Sequence, residues 1–301
     1  MVIVTGATGK TGSVVASSLL ETGEAVRVIG RSAEKLESLR KRGAEVAAGD
    51  QGDLTFMRNA LEGADALYLL IPPKYDAEDF RRFYNDLGDV AVEAIRAEKV
   101  KKVVFLSSLG ADKPSGTGPV VGLYDVERKL RTLTDVAIVF LRPGYFMENL
   151  LGNAELIATR GINGGPMRGD VPVTLAATKD IGGKAAELLR DRSFSGHSEV
   201  EITGDRLTNE QISGILGDAV GIAHLPYVQF SDADAQAAFS AMGLSGSVAA
   251  SYIELMHGIE KGLVGPVATN PSDLTAPTRL TEFAKTVFKP AFEAVKEHAM
   301  A

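Results

Sequence analysis

The chain has 301 residues, of which 45% are hydrophobic and 24% charged, the balance of a folded protein rather than a disordered one. Its 32 basic and 39 acidic residues give a net charge of -7, which argues against nucleic acid or an anionic membrane as the main partner. Cysteine is absent, which excludes disulfides and thiolate chemistry. We expect a cytoplasmic protein, because the sequence shows no secretory signal pattern and no apolar run of the ~20 residues that span a membrane.

The chain up to residue 145 alternates short apolar runs with longer segments of helical spacing. The pattern predicts strands over residues 2–5, 25–29, 45–48, 66–71, 102–106 and 137–141, and helices over residues 11–21, 33–42, 54–61, 77–99 and 126–133. The short runs are continuously apolar and rich in β-branched residues, which is typical of strands covered on both faces. Repeated alternation of this kind predicts an α/β fold with a doubly wound parallel sheet.

The pattern changes after residue 144, where helical spacing dominates. We expect helices over residues 148–159, 180–191, 209–220, 232–241, 247–261 and 280–298, with short strands over 171–175 and 199–203. Residues 161–169 contain four glycines and a proline, which predicts a flexible loop. The expected organisation is a sheet domain of residues 1–145 and a smaller, mostly helical lobe of residues 146–301 at the carboxyl ends of the strands.

The strongest motif is a glycine-rich turn between the first predicted strand and helix. The sequence Val4-Thr-Gly-Ala-Thr-Gly-Lys-Thr-Gly12 places glycines at positions 6, 9 and 12. In dinucleotide-binding proteins such glycines allow a tight turn, close approach of the backbone to a pyrophosphate, and close packing of helix on strand. The phosphate charge then lies on free N–H groups at the helix N-terminus. Against the alternative of a purely structural turn, we predict cofactor contacts from Gly6, Thr8, Gly9, Lys10, Thr11 and Gly12.

The residues after the second predicted strand indicate which dinucleotide is bound. NAD-binding proteins place an acidic residue there for the ribose 2′-hydroxyl, whereas an Arg accommodates the 2′-phosphate of NADP. This chain has Gly30-Arg31-Ser32 at that point, with no carboxylate. Arg31 can form a forked contact with a phosphate and Ser32 can donate to it, so NADP is preferred. NAD stays an alternative, because Arg31 could also be a solvated surface residue.

Further candidates lie where other predicted strands end, because ligands of open α/β sheets bind outside the carboxyl ends of the strands. Asp50 and Gln51 follow the third strand, near the expected adenine, although each could equally be an ordinary loop residue. Ile71 and Pro72 lie at the end of the fourth strand, and Ser107 follows the fifth. We predict that these residues border the cofactor.

Three features together resemble one protein family. They are the glycine-rich turn, Gly49-Asp50, and the pair of segments Glu127-Arg-Lys-Leu130 and Phe140-Leu-Arg-Pro-Gly-Tyr-Phe-Met-Glu-Asn149. On these features the chain resembles NmrA-like members of the atypical short-chain dehydrogenase/reductase superfamily, most clearly over residues 1–150. The resemblance implies a Rossmann-type NADP-binding protein. Relatives are either NADPH-dependent reductases of quinones and secondary metabolites, or redox-sensing regulators without catalysis that bind a protein partner.

The resemblance also implies where catalytic residues are expected. Extended relatives carry a Tyr-x-x-x-Lys pair with a Glu about four residues after the Lys, and anchoring on Glu127 places that pair at Pro119 and Leu123. Neither residue matches. Tyr124 is nearby but is followed at the fourth position by Arg128, so it is only a weak candidate for a catalytic residue.

Side chains after the sixth predicted strand are candidates for substrate binding. Tyr145 and Phe146 could form an aromatic wall for a flat substrate, or they could be core residues between the two domains. Asn149 could orient a substrate or cap a helix. No metal site is expected, because the four histidines lack ligand spacing.

The combined pattern favours an NADPH-dependent reductase that passes hydride from the nicotinamide to a quinone, an enone or a similar small conjugated substrate. Such a substrate forms a conjugation-stabilised anion, which suits a chain without the Tyr–Lys pair. The alternative is a catalytically silent NADP(H) sensor that regulates a protein partner, while an epimerase or dehydratase is disfavoured by the same missing pair. We expect a small-molecule substrate, and the sequence is compatible with a homo-oligomer.

Overall fold

The computed structural model describes residues 1–267 and 273–300, apart from the side chains of residues 298–300. The strands are β1 (Val2–Val4), β2 (Val26–Gly30), β3 (Glu45–Ala48), β4 (Ala66–Leu69), β5 (Lys102–Leu106), β6 (Ala137–Pro143), β7 (Tyr145–Phe146), β8 (Asn163–Gly165), β9 (Pro172–Ala176), β10 (His197–Thr203), β11 (Arg206–Thr208), β12 (Tyr227–Gln229) and β13 (Leu274–Thr275). The helices are α1 (Gly12–Glu21), α2 (Ala33–Lys41), α3 (Leu54–Leu61), α4 (Phe80–Ala97), α5 (Val120–Leu130), α6 (Ala154–Arg160), α7 (Thr178–Asp191), α8 (Asn209–Val220), α9 (Asp232–Ala241), α10 (Gly246–Glu260), α11 (Leu280–Phe283) and α12 (Lys289–Met300). A 3-10 segment covers Met147–Asn153, and a π-helical turn over Ala284–Phe288 joins α11 to α12.

Eight strands form one sheet in the order β13-β10-β6-β5-β4-β1-β2-β3, and every neighbouring pair is parallel. The register places Val4 of β1 opposite Val28 of β2 and Tyr68 of β4. All of β1 is buried, as expected for a strand covered on both faces. The doubly wound parallel sheet predicted from the sequence is therefore confirmed.

Helices cover both faces of this sheet. On one face, α3, α4 and α5 pack around a core that includes Phe105 and Val126. On the other, α1 and α7 pack around a core that includes Val104 and Ile181. A third core, which includes Leu216, holds the later helices together against the 3-10 segment.

Two helices differ from the sequence expectation. The helix predicted over residues 126–133 begins earlier, at Val120, because tertiary packing overrides the weak helix propensity of two valines and Gly122. A Cβ at Gly122 would lie 2.7 Å from the ring of Tyr84, so glycine is required where α5 approaches α4. The helix predicted over residues 148–159 is divided into the 3-10 segment and α6, in keeping with the poor helix-forming residues Gly152 and Asn153.

The chain after residue 145 contributes to the main sheet as well as to a lobe. β10 pairs in parallel with β6, and β13 follows at the sheet edge. Two small sheets, β11-β9-β7 and β12-β8, lie among the later helices. The division into residues 1–145 and 146–301 stays a prediction. Within the described ranges, none of the helices combines the length and the apolarity needed to cross a membrane.

His257 of α10 forms a hydrogen bond with the first residue of α9. Helix α9 itself has one buried residue, Ala235. The Nε2 atom of His257 lies 2.9 Å from Asp232 Oδ2, and its Nδ1 atom lies 3.2 Å from Glu260 Oε2. Because both ring nitrogens face carboxylate oxygens, the arrangement is satisfied fully only by the protonated imidazolium. These hydrogen bonds raise the pKa of His257.

A raised pKa in the folded state makes the stability pH-dependent. The contribution of His257 is complete below its unfolded pKa of about 6.5 and is lost as pH rises through the folded pKa. We therefore expect His257→Gln to lower the free energy of unfolding at about pH 5.5 and to change it little at about pH 9. Urea unfolding at both pH values measures this, with His224→Asn as the control, since His224 is exposed and has a φ of 56° that Asn also adopts. An equal loss at both pH values would contradict the ionic role.

Candidate cofactor and substrate site

The glycine turn closes on itself and leaves one side open. Gly6 has a φ of 60°, and its carbonyl oxygen accepts a 2.9 Å hydrogen bond from Gly9 N. A Cβ at Gly12 would collide with that same oxygen, so Gly12 permits the close approach of α1 to the turn. A Cβ at Gly9 would meet only Gly6 O, at 3.2 Å. The space beside Gly9 is therefore open to a ligand.

The start of α1 suits an anion. No side chain caps its N-terminus, whereas α2, α3 and α4 are capped by Ser32, Asp53 and Asp79. Uncapped N–H groups and the positive end of the helix dipole attract phosphate. The structure thus provides a cradle that fits a pyrophosphate, next to the open side of Gly9.

Side chains within the turn have separate roles. Thr8 is exposed, whereas Thr11 is buried and its hydroxyl accepts a 3.0 Å hydrogen bond from Tyr68 Oη. Thr11 can therefore offer a ligand its backbone rather than its side chain. Lys10 is exposed, and its Nζ donates to Glu148 O at 3.2 Å, which links the turn to the 3-10 segment.

The candidate residues at the ends of β2 and β3 also differ in whether their side chains are free or already hydrogen-bonded within the protein. Arg31 is exposed and makes no hydrogen bond or ion pair with the described residues, so its guanidinium is available. Ser32 Oγ accepts from Lys35 N at 3.4 Å and caps α2. Asp50 Oδ1 accepts from Gly52 N at 2.8 Å within its own loop, and Gln51 is half-buried beside it.

A buried ion pair lies below the ends of β5 and β6. Ser107 Oγ donates to Glu127 Oε1 at 2.6 Å, and Glu127 also accepts from Arg142 Nε at 2.9 Å and Nη2 at 2.6 Å. Glu127 is only 2% exposed. Ile71 is likewise buried at the end of β4, with Pro72 half-buried after it. The sequence reasoning assigned no role to Glu127 or Arg142, although both belong to the segments that carry the family resemblance.

The segment after β6 crosses from the main sheet to the lobe. A Cβ at Gly144 would lie 2.6 Å from Thr174 O, so glycine allows the chain to pass β9 closely. Tyr145 then packs against the lobe core, whereas Phe146 packs against the core beneath α1 and α7. Burial raises the pKa of Tyr145 to about 12, and a hydrogen bond with the side chain of Asn149 acts in the opposite direction.

Glu148 is a third residue whose role was not predicted from the sequence. Its carboxylate accepts from Thr178 N at 3.0 and 3.1 Å and from Thr178 Oγ1 at 2.7 Å, which caps α7 across 30 residues of chain. The preceding Ala177 has no side chain that could cap this helix. A Cβ at Gly182 of α7 would lie 2.6 Å from Val14 of α1. Glu148 thus positions the helix that supports the glycine-turn helix.

Tyr124 lies on the outer side of α5. Its hydroxyl accepts a 3.4 Å hydrogen bond from Arg128 Nη1, and the Arg128 guanidinium carbon lies 5.7 Å from the ring centroid. Arg81 of α4 also interacts electrostatically with Tyr124. The structure therefore ties this phenol to the surface between α4 and α5. In the part of the chain that the structure describes, no cluster of three or more His, Asp or Glu could hold a metal ion.

The NmrA-like family matches residues 1–241, which is more than half of the chain. The chain belongs to the NmrA-like family. The resemblance seen in the glycine turn and the later motifs is thereby confirmed. Quinone oxidoreductase 2 of Escherichia coli is 30% identical over 269 residues, covering 87% of this chain and 89% of that protein. The NAD(P)H azoreductase of Xenophilus azovorans is 28% identical over 290 residues, covering 95% and 97%.

Solved structures show the same fold. An NADPH-dependent quinone oxidoreductase of Escherichia coli, complexed with NADPH, has a TM-score of 0.74 and 24% identity, and the match covers 100% of both chains. The Citrobacter sp. triphenylmethane reductase complexed with NADP(H) has a TM-score of 0.78 and 20% identity, covering 98% of this NmrA-like chain and 100% of that one.

The open side of the glycine turn generates a first prediction. Gly9→Val should leave the protein folded but abolish NADPH binding, because the side chain would occupy the space of the pyrophosphate. Gly12→Ala should instead lower the melting temperature, because its Cβ collides with the backbone of Gly6. Calorimetric titration with NADPH and thermal unfolding of both variants measure the contrast. Unchanged affinity in Gly9→Val would remove the dinucleotide hypothesis for this turn.

The free guanidinium of Arg31 generates a second prediction. Arg31→Ala should weaken NADPH binding by about 10- to 150-fold, since a charge-assisted contact contributes roughly 1.5–3 kcal/mol, and should affect NADH far less. Titration of the variant with each dinucleotide measures the difference. Arg40→Ala is the control, because Arg40 lies on α2, which begins two residues after Arg31, and is paired with Glu37. An equal loss for both cofactors would mean that Arg31 is structural.

Proposed function

We propose that this NmrA-like protein is an NADPH-dependent reductase that transfers a hydride to a quinone, an enone or a similar small conjugated acceptor. The observation that carries the proposal is the open glycine turn at Gly9, next to the uncapped start of α1 and followed along the sheet by the free Arg31. Relatives named as a quinone oxidoreductase and an NAD(P)H azoreductase support it. The protein is thus an NAD(P)H-dependent oxidoreductase, and the acceptor is the part that needs testing.

The residues present fit the cofactor, which supplies the hydride when bound. The backbone of the turn and the first N–H groups of α1 would hold the pyrophosphate, and Arg31 the 2′-phosphate. Ile71, Pro72 and Ser107 would border the cofactor at the strand ends. The hydroxyl hydrogen of Ser107 is already donated to Glu127, so Ser107 is left with acceptor capacity towards a ligand.

The missing Tyr–Lys pair favours conjugated acceptors. Pro119 stands immediately before α5 as its N-cap, and Leu123 packs against the core on that face of the sheet, so both positions have structural roles. A simple ketone reduced at such a site would form an unstabilised alkoxide without a strong proton donor. A quinone or enone spreads the developing charge by conjugation, and water can protonate the product.

The remaining expectations concern partners and location. A small-molecule acceptor fits the proposed chemistry, with no role assigned to nucleic acid. A cytoplasmic location stays a prediction, and the sequence is compatible with a homo-oligomer. The alternative function, a silent NADP(H) sensor, is favoured by the same missing pair and is decided by the assay below.

A panel of acceptors tests the reductase directly. We expect NADPH absorbance to fall when the protein is mixed with quinones, enones and azo dyes, and to fall much less with saturated ketones. Gly9→Val is the control for cofactor-independent loss. Tight NADPH binding without turnover on any acceptor would contradict the reductase and favour the sensor.

The position of Tyr124 generates a further prediction. Tyr124→Phe should reduce quinones within about tenfold of the wild-type rate, because general acid catalysis contributes 10²–10⁴-fold and would be obvious on removal. Steady-state kinetics with NADPH held saturating measures this. A loss of about a thousandfold in kcat with intact cofactor binding would make Tyr124 the catalytic acid.

A further inference from the structure

A cluster of aromatic rings extends from the core to the surface around Tyr252 of α10. The centroid of the Tyr252 ring lies 6.3 Å from that of Phe80, 6.5 Å from that of Tyr75 and 6.1 Å from that of Phe239. Phe80 is buried at the start of α4, Tyr252 and Phe239 are half-buried, and Tyr75 is 50% exposed. Among the seven Tyr and 12 Phe residues, all within the described ranges, Tyr75 is the only exposed one. Tyr75, Phe239 and Tyr252 together form an accessible aromatic platform.

Hydrogen bonds fix the backbone that carries the exposed ring. Ser245 N donates to Tyr75 O at 2.9 Å, and the Ser245 hydroxyl donates to Ala77 O. Within α10, Ser247 Oγ accepts from Phe80 N at 3.1 Å. The loop between β4 and α4 is thus tied to the start of α10 at three points. A ring on a fixed backbone loses little conformational freedom when a ligand covers it, which favours binding.

The aromatic platform lies at the carboxyl edge of the sheet, between the loops that follow β4 and β5. Tyr75 is three residues from Pro72 at the end of β4, and three residues of chain reach at most about 11 Å. A Cβ at Gly118, in the loop after β5, would lie 2.0 Å from the carbonyl oxygen of Ser251, the neighbour of Tyr252. Open α/β sheets bind their ligands at this edge, so the platform borders the space where the cofactor would lie.

We propose that the aromatic platform binds a planar, fused-ring acceptor of the naphthoquinone class, which stacks on the exposed ring of Tyr75. The assignment rests on the reductase function proposed above. The negative face of a phenol ring attracts the electron-poor ring of a quinone. A fused-ring acceptor also covers more of the platform than a single ring does, and burial of more apolar surface strengthens binding. Tyr75 is therefore a specificity-determining residue that favours naphthoquinones over benzoquinones.

Replacing the exposed ring tests the stacking contact without turnover. With saturating NADP⁺ no hydride is available, so calorimetry measures the affinity for 1,4-naphthoquinone directly. We expect Tyr75→Ala to weaken this affinity about tenfold and Tyr75→Phe to leave it within about twofold, because Phe preserves the ring. Equal affinity in wild type and Tyr75→Ala would overturn the assignment. A loss in Tyr75→Phe as large as that in Tyr75→Ala would assign the contact to the hydroxyl and would overturn stacking.

Phe194→Ala is the control for loss of an aromatic ring elsewhere. Phe194 is half-buried, and its ring centroid lies 5.1 Å from Nζ of Lys102, the first residue of β5. It therefore lies at the amino edge of the sheet, opposite the platform, and its removal should leave the naphthoquinone affinity unchanged. Folding is checked by thermal unfolding of each variant, since Tyr75→Ala removes an exposed side chain and keeps the backbone carbonyl that Ser245 holds.

The size of the acceptor provides a second readout. Tyr75→Ala should weaken 1,4-benzoquinone binding by only about threefold, because the single ring buries less of the platform. The dissociation constant of NADP⁺, titrated alone, should not change. An equal loss for the two quinones would overturn the preference for fused rings. A tenfold loss for NADP⁺ would place Tyr75 against the cofactor instead of the acceptor, and would also overturn the assignment.

Two further outcomes distinguish this assignment from other roles of the protein and of this surface. A wild-type protein that binds naphthoquinone through Tyr75 but never oxidises NADPH would support the contact and contradict the reductase. Sedimentation of wild type and Tyr75→Ala tests whether the exposed ring instead contacts a second copy of this chain. Dissociation of an oligomer in Tyr75→Ala, with unchanged naphthoquinone affinity, would overturn the assignment.

Discussion

The carboxyl edge of the sheet depends on the close approach of Gly12 to the carbonyl oxygen of Gly6. Only glycine fits at position 12, and that approach sets α1 against β1 with its N-terminus directed at the open side of the turn. Helix α7 packs in turn on α1 at Gly182, and Glu148 caps α7. The backbone of Glu148 also accepts from Lys10. One steric constraint in the turn thus fixes the segment that carries Tyr145 and Asn149.

The buried set of Ser107, Glu127 and Arg142 holds the opposite half of this edge. A carboxylate that is 2% exposed would be strongly destabilised alone, but here it accepts two hydrogen bonds from Arg142 and one from Ser107. Removing one partner of such a pair typically costs about 3–5 kcal/mol, because the other charge stays buried. The set therefore fixes α5 relative to the ends of β5 and β6.

Sequence reasoning succeeded where the determining interactions are local. Continuous apolar runs identified β1 to β6, and the spacing of Gly6, Gly9 and Gly12 identified a turn whose geometry is set within seven residues. These patterns did not identify β8, which lies within the loop predicted over residues 161–169 and pairs with β12. Sequence reasoning missed what depends on distant partners. Glu148 looks like the first residue of its own helix, because its true partner Thr178 is 30 residues away. The start of α5 was also missed, because its residues have weak helix propensity and its close neighbour Tyr84 comes from another helix, α4.

Hydrogen bonding separates structural from ligand-facing polar residues at this edge. Ser32 and Asp50, both predicted to contact the cofactor, already accept backbone N–H groups, and Thr11 accepts from Tyr68. Among the described residues, Arg31 has no such partner, and no side chain caps the start of α1. That division would allow a chain with a net charge of -7 to bind an anionic dinucleotide. The long-range field of the protein is repulsive to a dinucleotide, so affinity has to come from a few uncommitted donors, which act at contact distance and are screened little by salt.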